Sequence, residues 1–188
     1  MKSPRLIALT IAVYLVHISP VAADIIRVDV TRPPGGNGPP WTTAYSDLQD
    51  ALAAAGLGDE IWVAAGTYFP GTNRSASFSM VEGVEVYGGF AGTETSITQR
   101  DPEANVTVLS GDIGTVGVLT DNSYVVVRDE TGNNTARLDG FTITGGFGGD
   151  SSYQAGAGVF LGSYSSPTIA NCHIVTNVVG DDGWGGGL

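Results

Sequence analysis

The stretch Leu138-Asp-Gly-Phe-Thr-Ile-Thr-Gly-Gly146 decides how the chain is read, because it returns as Ile169-Ala-Asn-Cys-His-Ile-Val-Thr-Asn177. Leu138 aligns with Ile169, Phe141 with Cys172 and Ile143 with Ile174, the same apolar beats after 31 residues. A glycine-rich segment downstream of each copy also repeats: Gly156-Ala-Gly-Val159 and Gly185-Gly-Gly-Leu188 stand 29 residues apart. Fixed-period self-similarity in short β-type segments with glycine punctuation is the mark of a stacked repeat.

Outward from this pair, the same beat runs back towards the N-terminus. In Gly58-Asp-Glu-Ile-Trp-Val-Ala-Ala-Gly-Thr-Tyr68, Ile61 and Val63 point one way and Trp62 the other. Val84 and Val86 fall 23 residues later, Val106 and Val108 another 22, and Tyr124–Val127 supplies a further strand. Such short strands at such spacings fit an all-β fold, a parallel β-helix in which each coil lays its strands on the coil below. Inward positions must then be apolar, and corners need residues that tolerate unusual φ. Glycine, 28 of 188 residues, stands at about twice its ordinary share, and Asn171 and Asn177 fall where corners are expected. Pro70–Ser77, Ala91–Asn105 and Gly146–Ala155 are expected to leave the coil as surface loops.

The stack spans 58–188, and 24–57 is read as its N-terminal cap. Asp24–Val30 alternates as a strand with Ile26, Val28 and Val30 on one face, and the Pro/Gly-rich Thr31–Pro40 is a loop. Ser46 with Gln49 three residues on forms a capping box. Leu48, Ala51, Leu52 and Ala55 recur at helix spacing, and Gly56 stops the run, which predicts a helix over 46–55. Its apolar stripe covers the open end that a terminal coil would expose. No such cap follows Leu188, so the chain is expected to be part of a longer protein or a truncated frame, and an inert fragment is one reading.

Residues 1–23 carry the marks of a secretory signal peptide. Lys2 and Arg5 are followed by thirteen apolar residues, Leu6–Ile18, too few to span a bilayer, and Val21-Ala-Ala23 offers a cleavage site. No later stretch is long and apolar enough to cross a membrane. The mature chain keeps six basic residues, all arginine, against 19 acidic ones, a formal charge of −13. That surface repels nucleic acid and anionic lipid. Cys172 is the sole cysteine, so no internal disulfide forms, which suits a bacterial surface or extracellular setting stabilised by other means.

With these residues in place, the chain resembles the bacterial pectin-lyase-like right-handed β-helix proteins with repeats of the chlamydial polymorphic outer membrane protein type. Those repeats pair a Gly-Gly-Ala-Ile-like with a Phe-x-x-Asn-like tetrapeptide. Gly156-Ala-Gly-Val159 and Gly185-Gly-Gly-Leu188 approximate the first, and Ile174-Val-Thr-Asn177 the second with Ile for Phe. Tyr45–Leu52, Gly58–Tyr68 and Gly88-Gly-Phe-Ala-Gly-Thr-Glu94 look like the usual entrance to such a helix. The resemblance implies a secreted or outer-membrane-associated surface protein with structural, adhesive or passenger roles. It also implies the right-handed sense, in line with the general preference for right-handed parallel crossovers.

Proteins of that shape include polysaccharide lyases, with carboxylate-held Ca²⁺ and a basic residue as base, and hydrolases with grouped aspartates. A lyase base here would be Arg74, Arg100, Arg128 or Arg137. Arg137 and Asp139 share one strand face and are expected to form a surface ion pair. Asp181-Asp182 precedes Gly183 and has the composition of a turn. His173 should point outward, with no partners at metal-ligand spacing, and Cys172 should be a small core residue. No catalytic set and no cofactor emerges.

Asp112, Asp121, Asp150, Asp181 and Asp182 lie in turns that can be solvated or can ligate Ca²⁺. Trp62, Tyr87 and Tyr153 are expected to face outward, either as a sugar-stacking surface or packed under loops. The expected partners are polysaccharide or a surface protein of a host or neighbouring cell. The competing expectation is a polysaccharide lyase or glycoside hydrolase whose active groove lies in further coils.

Overall fold

The computed structural model describes residues 23–130, 135–148, 157–180 and 186–187. Residues 1–22 of the expected signal peptide, Asp150, Tyr153, Asp181 and Asp182 lie outside them. The described chain is mostly strand, and every strand pair is parallel.

Three sheets are visited in a fixed order. The first holds Ile25–Val28, Glu60–Ala64, Glu85–Phe90, Arg137–Asp139 and Thr168–Ala170. The second holds Gly66–Tyr68, Thr107–Ser110, Thr142–Thr144 and His173–Ile174. The third holds Phe78–Ser79, Val127–Asp129 and Val159–Leu161. From Glu60 onward the chain passes from first to second to third sheet and back. A short pair, Phe147–Gly148 on Val178–Val179, lies between the second and third sheets in chain order, so the loop expected over 146–155 begins with a strand.

The core is a set of ladders. Ile26, Ile61, Val86, Leu138 and Ile169 are successive partners in the first sheet. Tyr68, Leu109, Ile143 and Ile174 form the matching ladder in the second. Phe78, Val127 and Val159 form the third. All of these side chains belong to one apolar cluster. Fully burying such a side chain is worth roughly 1.5–3 kcal/mol, so stacking like on like compensates for very short strands.

The expected pairing of Leu138 with Ile169 and of Ile143 with Ile174 is present. Two expected registers are corrected. Ile61 pairs with Val86, not Val84, and the pairing slips between Trp62–Tyr87 and Ala64–Phe90. The strand around Val108 lies on Gly66–Tyr68 of the second sheet, and its buried residues are Thr107, Leu109 and Ser110, with Val106 exposed. Strand Ile25–Val28, read as part of the cap, is already a rung of the first sheet.

The helix runs Leu48–Ala54 and buries Leu48, Ala51 and Leu52 against the open edge of the first sheet. Its N-cap is Asp47, not Ser46, and Asp47 accepts from the Gln49 amide at 2.8 Å. Gln49 therefore stands one position too early to reach back as in a capping box. Its side-chain amide instead donates to the carbonyls of Pro70 and Ser77, at 2.7 and 2.9 Å, and ties that loop to the helix.

Candidate functional site

The outward face of the first sheet carries the row Arg27, Trp62, Tyr87, Asp139 and Ala170. Loops fold back over it. Trp62 is 2% exposed and Tyr87 8%, so they do not form an open sugar-stacking face. Trp62 stacks on Phe90 at 4.8 Å, Trp41 closes the far side, and the Arg27 guanidinium lies over both indoles. A second apolar cluster thus forms on the outward face of the first sheet.

The loop after Phe90 is built by its own sequence. Glu94 turns its carboxylate onto the backbone N–H groups of Ala91, Gly92 and Thr93, at 2.6, 3.0 and 2.9 Å. Burial alone would raise the Glu94 pKa, but these N–H donors outweigh it and hold the carboxyl below its ordinary value. Ser96 and Gln99 then form the capping box of a 3-10 turn, Ile97–Gln99, which delivers Arg100. The Asp101 N–H donates to the Gly89 carbonyl at 2.7 Å, which lays the loop down against strand Glu85–Phe90. Gly89 has φ 94° and a Cβ there would sit 2.8 Å from Pro102, so glycine is required.

Between this loop and the corner joining the first two sheets runs a groove of about 770 Å³. Arg100, Glu103, Thr142, Asn171, Cys172 and His173 are on its walls. The structure therefore brings together Arg100, His173 and Cys172, three residues singled out in sequence, with Asp139 beneath them.

Asp139 is 1% exposed while the Arg137 side chain keeps 32% exposure, so the expected surface ion pair is corrected to a half-buried one. One oxygen accepts from Arg100 Nη2 at 2.7 Å and Asn171 Nδ2 at 2.9 Å. The other accepts from Arg137 Nη2 at 2.5 Å and Nε at 3.1 Å. Desolvation pushes the Asp139 pKa up, but the bonds from Asn171, Arg100 and Arg137 win and lower it. Arg137 is driven the other way: its bond to Asp139 holds the guanidinium still more firmly protonated. Arginine acts as a base only when neutral, so the direction is wrong for a lyase base.

The other arginines are likewise held. Arg74 donates to the carbonyls of Asn122 and Phe147 and stacks on Tyr124 at 4.1 Å. Arg128 pairs with Glu130 at 2.7 Å. His173 is exposed on the outer side, as expected. Cys172 packs on the core and its thiol donates to the Ala170 carbonyl at 3.2 Å. Burial pushes that thiol pKa up, the opposite of what a nucleophile needs.

Sequence reasoning missed Arg100 as the partner of Asp139, because the two are 39 residues apart and meet only once the loop folds back. Glu94 was visible only inside the Gly88–Glu94 motif, where no charge partner marks it. Among the described residues, no group of three or more His, Cys, Asp or Glu side chains is placed to hold a metal ion, and no helix is long and apolar enough to cross a membrane.

Comparison with curated proteins and with solved structures finds no match to the chain. Residues 34–183, from the Pro/Gly-rich loop through the last ladder, match the family described as protein of unknown function, DUF1565. By that match across most of its length, the chain belongs to the DUF1565 family.

Proposed function

We infer that the protein is a parallel β-helix of the exported, pectin-lyase-like kind, acting as a structural or adhesive component at the cell surface or outside it. Its partners are polysaccharide or a surface protein of a neighbouring or host cell. One observation carries this reading. The charged cluster beside the groove, Asp139 with Arg100 and Arg137, is bonded within itself and pins a loop to the sheet. The acidic composition, the repeated ladders and the family match support it further.

The second reading is a polysaccharide lyase or hydrolase of the pectin-lyase-like fold. It is favoured by the groove itself, which places Arg100, Glu103 and His173 along a channel open to solvent. Incubating the chain with a panel of uronate polysaccharides, with and without Ca²⁺, separates the two. The surface-protein reading expects no unsaturated product and retention of the chain on at least one polysaccharide or cell surface. Absorbance from unsaturated uronates, lost in Arg100→Met, would establish the enzyme instead.

A further inference from the structure

The loop between Gly111 and Ser123 contains polar atoms that the fold does not use. Its two ends are clamped, with the Ser123 N–H donating to the Gly111 carbonyl at 2.8 Å. Asp112 and Asn122, the residues just inside the clamp, therefore enter the loop side by side. One oxygen of Asp112 accepts from the Gly117 N–H at 3.0 Å. One oxygen of Asp121 accepts from the Thr115 N–H at 2.8 Å. The second oxygen of each carboxylate, Oδ1, is buried and has no hydrogen-bond donor.

Asn122 adds an independent sign. The residue is 2% exposed, and its Nδ2 donates to the Gly145 carbonyl at 2.7 Å. Its Oδ1 is buried and has no donor either. Gly145 is also the floor under Asp112, since a Cβ there would lie 3.0 Å from the Asp112 nitrogen and 3.4 Å from its β-carbon. The Asn122 amide is thus held at Gly145, which itself lies against Asp112. The Ser123 hydroxyl beside it is fully buried and unpartnered as well.

Three acceptor oxygens buried without donors are costly, and a single cation held by the loop would satisfy them together. The guanidinium near them, Arg74, is already directed at the carbonyls of Asn122 and Phe147 and at the Tyr124 hydroxyl. We propose that this loop binds a divalent, oxygen-preferring cation, calcium, through Asp112, Asp121 and Asn122. Two carboxylates balance its charge. Carboxylate, amide and hydroxyl oxygens are hard donors, which disfavours zinc or copper. A loop of mixed ligands completed by water suits the flexible coordination of calcium better than the strict octahedron of magnesium. With two charged ligands the dissociation constant is expected at about 10⁻⁴–10⁻³ M, as in extracellular modules.

Isothermal titration of the chelator-treated chain with CaCl₂ tests this, with MgCl₂ as comparison and thermal melts as a second readout. The expected result is one calcium site and a raised Tm in millimolar CaCl₂. Asp112→Asn and Asp121→Asn should each weaken binding at least tenfold, while Asp50→Asn on the exposed helix face should leave it unchanged. A wild-type chain that takes up no calcium overturns the proposal whatever the variants do. So does unchanged affinity in a folded Asp112→Asn or Asp121→Asn chain, or a site that prefers magnesium. Calcium uptake and the polysaccharide assays above are read separately, so either can fail alone.

Discussion

Gly140 and Asn171 turn the same corner in successive passes of the chain, 31 residues apart, with φ of 85° and 49°. Both leave the first sheet for the second. Gly140 does so freely, whereas Asn171 adopts the left-handed region and also donates to Asp139 at 2.9 Å. Asn171→Gly should keep the corner and lose that bond, costing about 1–2 kcal/mol. Asn171→Val should lose the bond and force a β-branched residue into a left-handed backbone, costing about 2–4 kcal/mol in all. Urea unfolding measures both. Equal destabilisation by Gly and Val would mean the backbone conformation contributes nothing.

The next corner shows the same equivalence less comfortably. Gly145 has φ 76°, and Thr176, 31 residues on, has φ 51°. Thr176 is exposed, and its hydroxyl reaches only Thr144 and the Val175 carbonyl. A β-branched residue in the left-handed region carries a penalty of roughly 1–2 kcal/mol, partly offset by the extra chain entropy glycine brings to the unfolded state. Thr176→Gly is therefore expected to stabilise the chain by about 0.5–1 kcal/mol, seen as a higher urea midpoint. A lower midpoint would show that the threonine contacts outweigh the strain.

Trp41 and Glu94 are joined by an indole N–H to main-chain carbonyl bond of 2.9 Å across 53 residues. The Glu94 side chain meanwhile holds the three N–H groups that shape its loop. Hydrogen bonds to a charged acceptor are worth about 1.5–3 kcal/mol each, although bonds to one carboxylate do not add fully. Glu94→Ala is expected to cost about 2–4 kcal/mol and to loosen the seat of Trp41. Tryptophan emission should shift to the red before global unfolding. Glu94→Gln, which keeps one acceptor oxygen, should fall between wild type and Glu94→Ala.

The ladders were legible in the sequence where strand alternation and glycine corners agree, as in Leu138–Gly146 and its echo. Asn177 was expected at a corner, but the left-handed residue is Thr176, and Asn177 instead staples the chain: its Nδ2 donates to the Ile143 carbonyl and its Oδ1 accepts from the Gly146 N–H. Register failed where alternation misleads. Val84 and Val86 are both apolar and both buried, so the pattern offers no choice between them. Around Val108 a polar residue faces in, because the Thr107 hydroxyl takes the Gly89 N–H at 3.0 Å. The roof over Trp62 and Tyr87, and Arg100 over Asp139, depend on loops returning to a sheet. Local periodicity carries no trace of that.

Asp139 ties these loops and coils together and sets how the fold responds to acid. Asp29, Glu94 and Asp139 are buried carboxylates whose pKa values are all lowered in the folded chain. A depressed folded pKa contributes stability that is complete above the unfolded value, near 4, and is lost as pH falls through the folded value. The Tm is therefore expected to be steady from neutral pH to about 5 and to drop steeply below about 4. Asp139→Asn removes the charge that Arg100 and Arg137 face in a buried site, a loss of about 3–5 kcal/mol at neutral pH when such a pair is broken. Its acid loss should be shallower, so the wild-type and variant melting curves converge as pH falls through the lowered Asp139 pKa. Parallel curves across the whole range would show that the Asp139 pKa is the same in the folded and unfolded chains, and that the two arginines are held by something other than its charge.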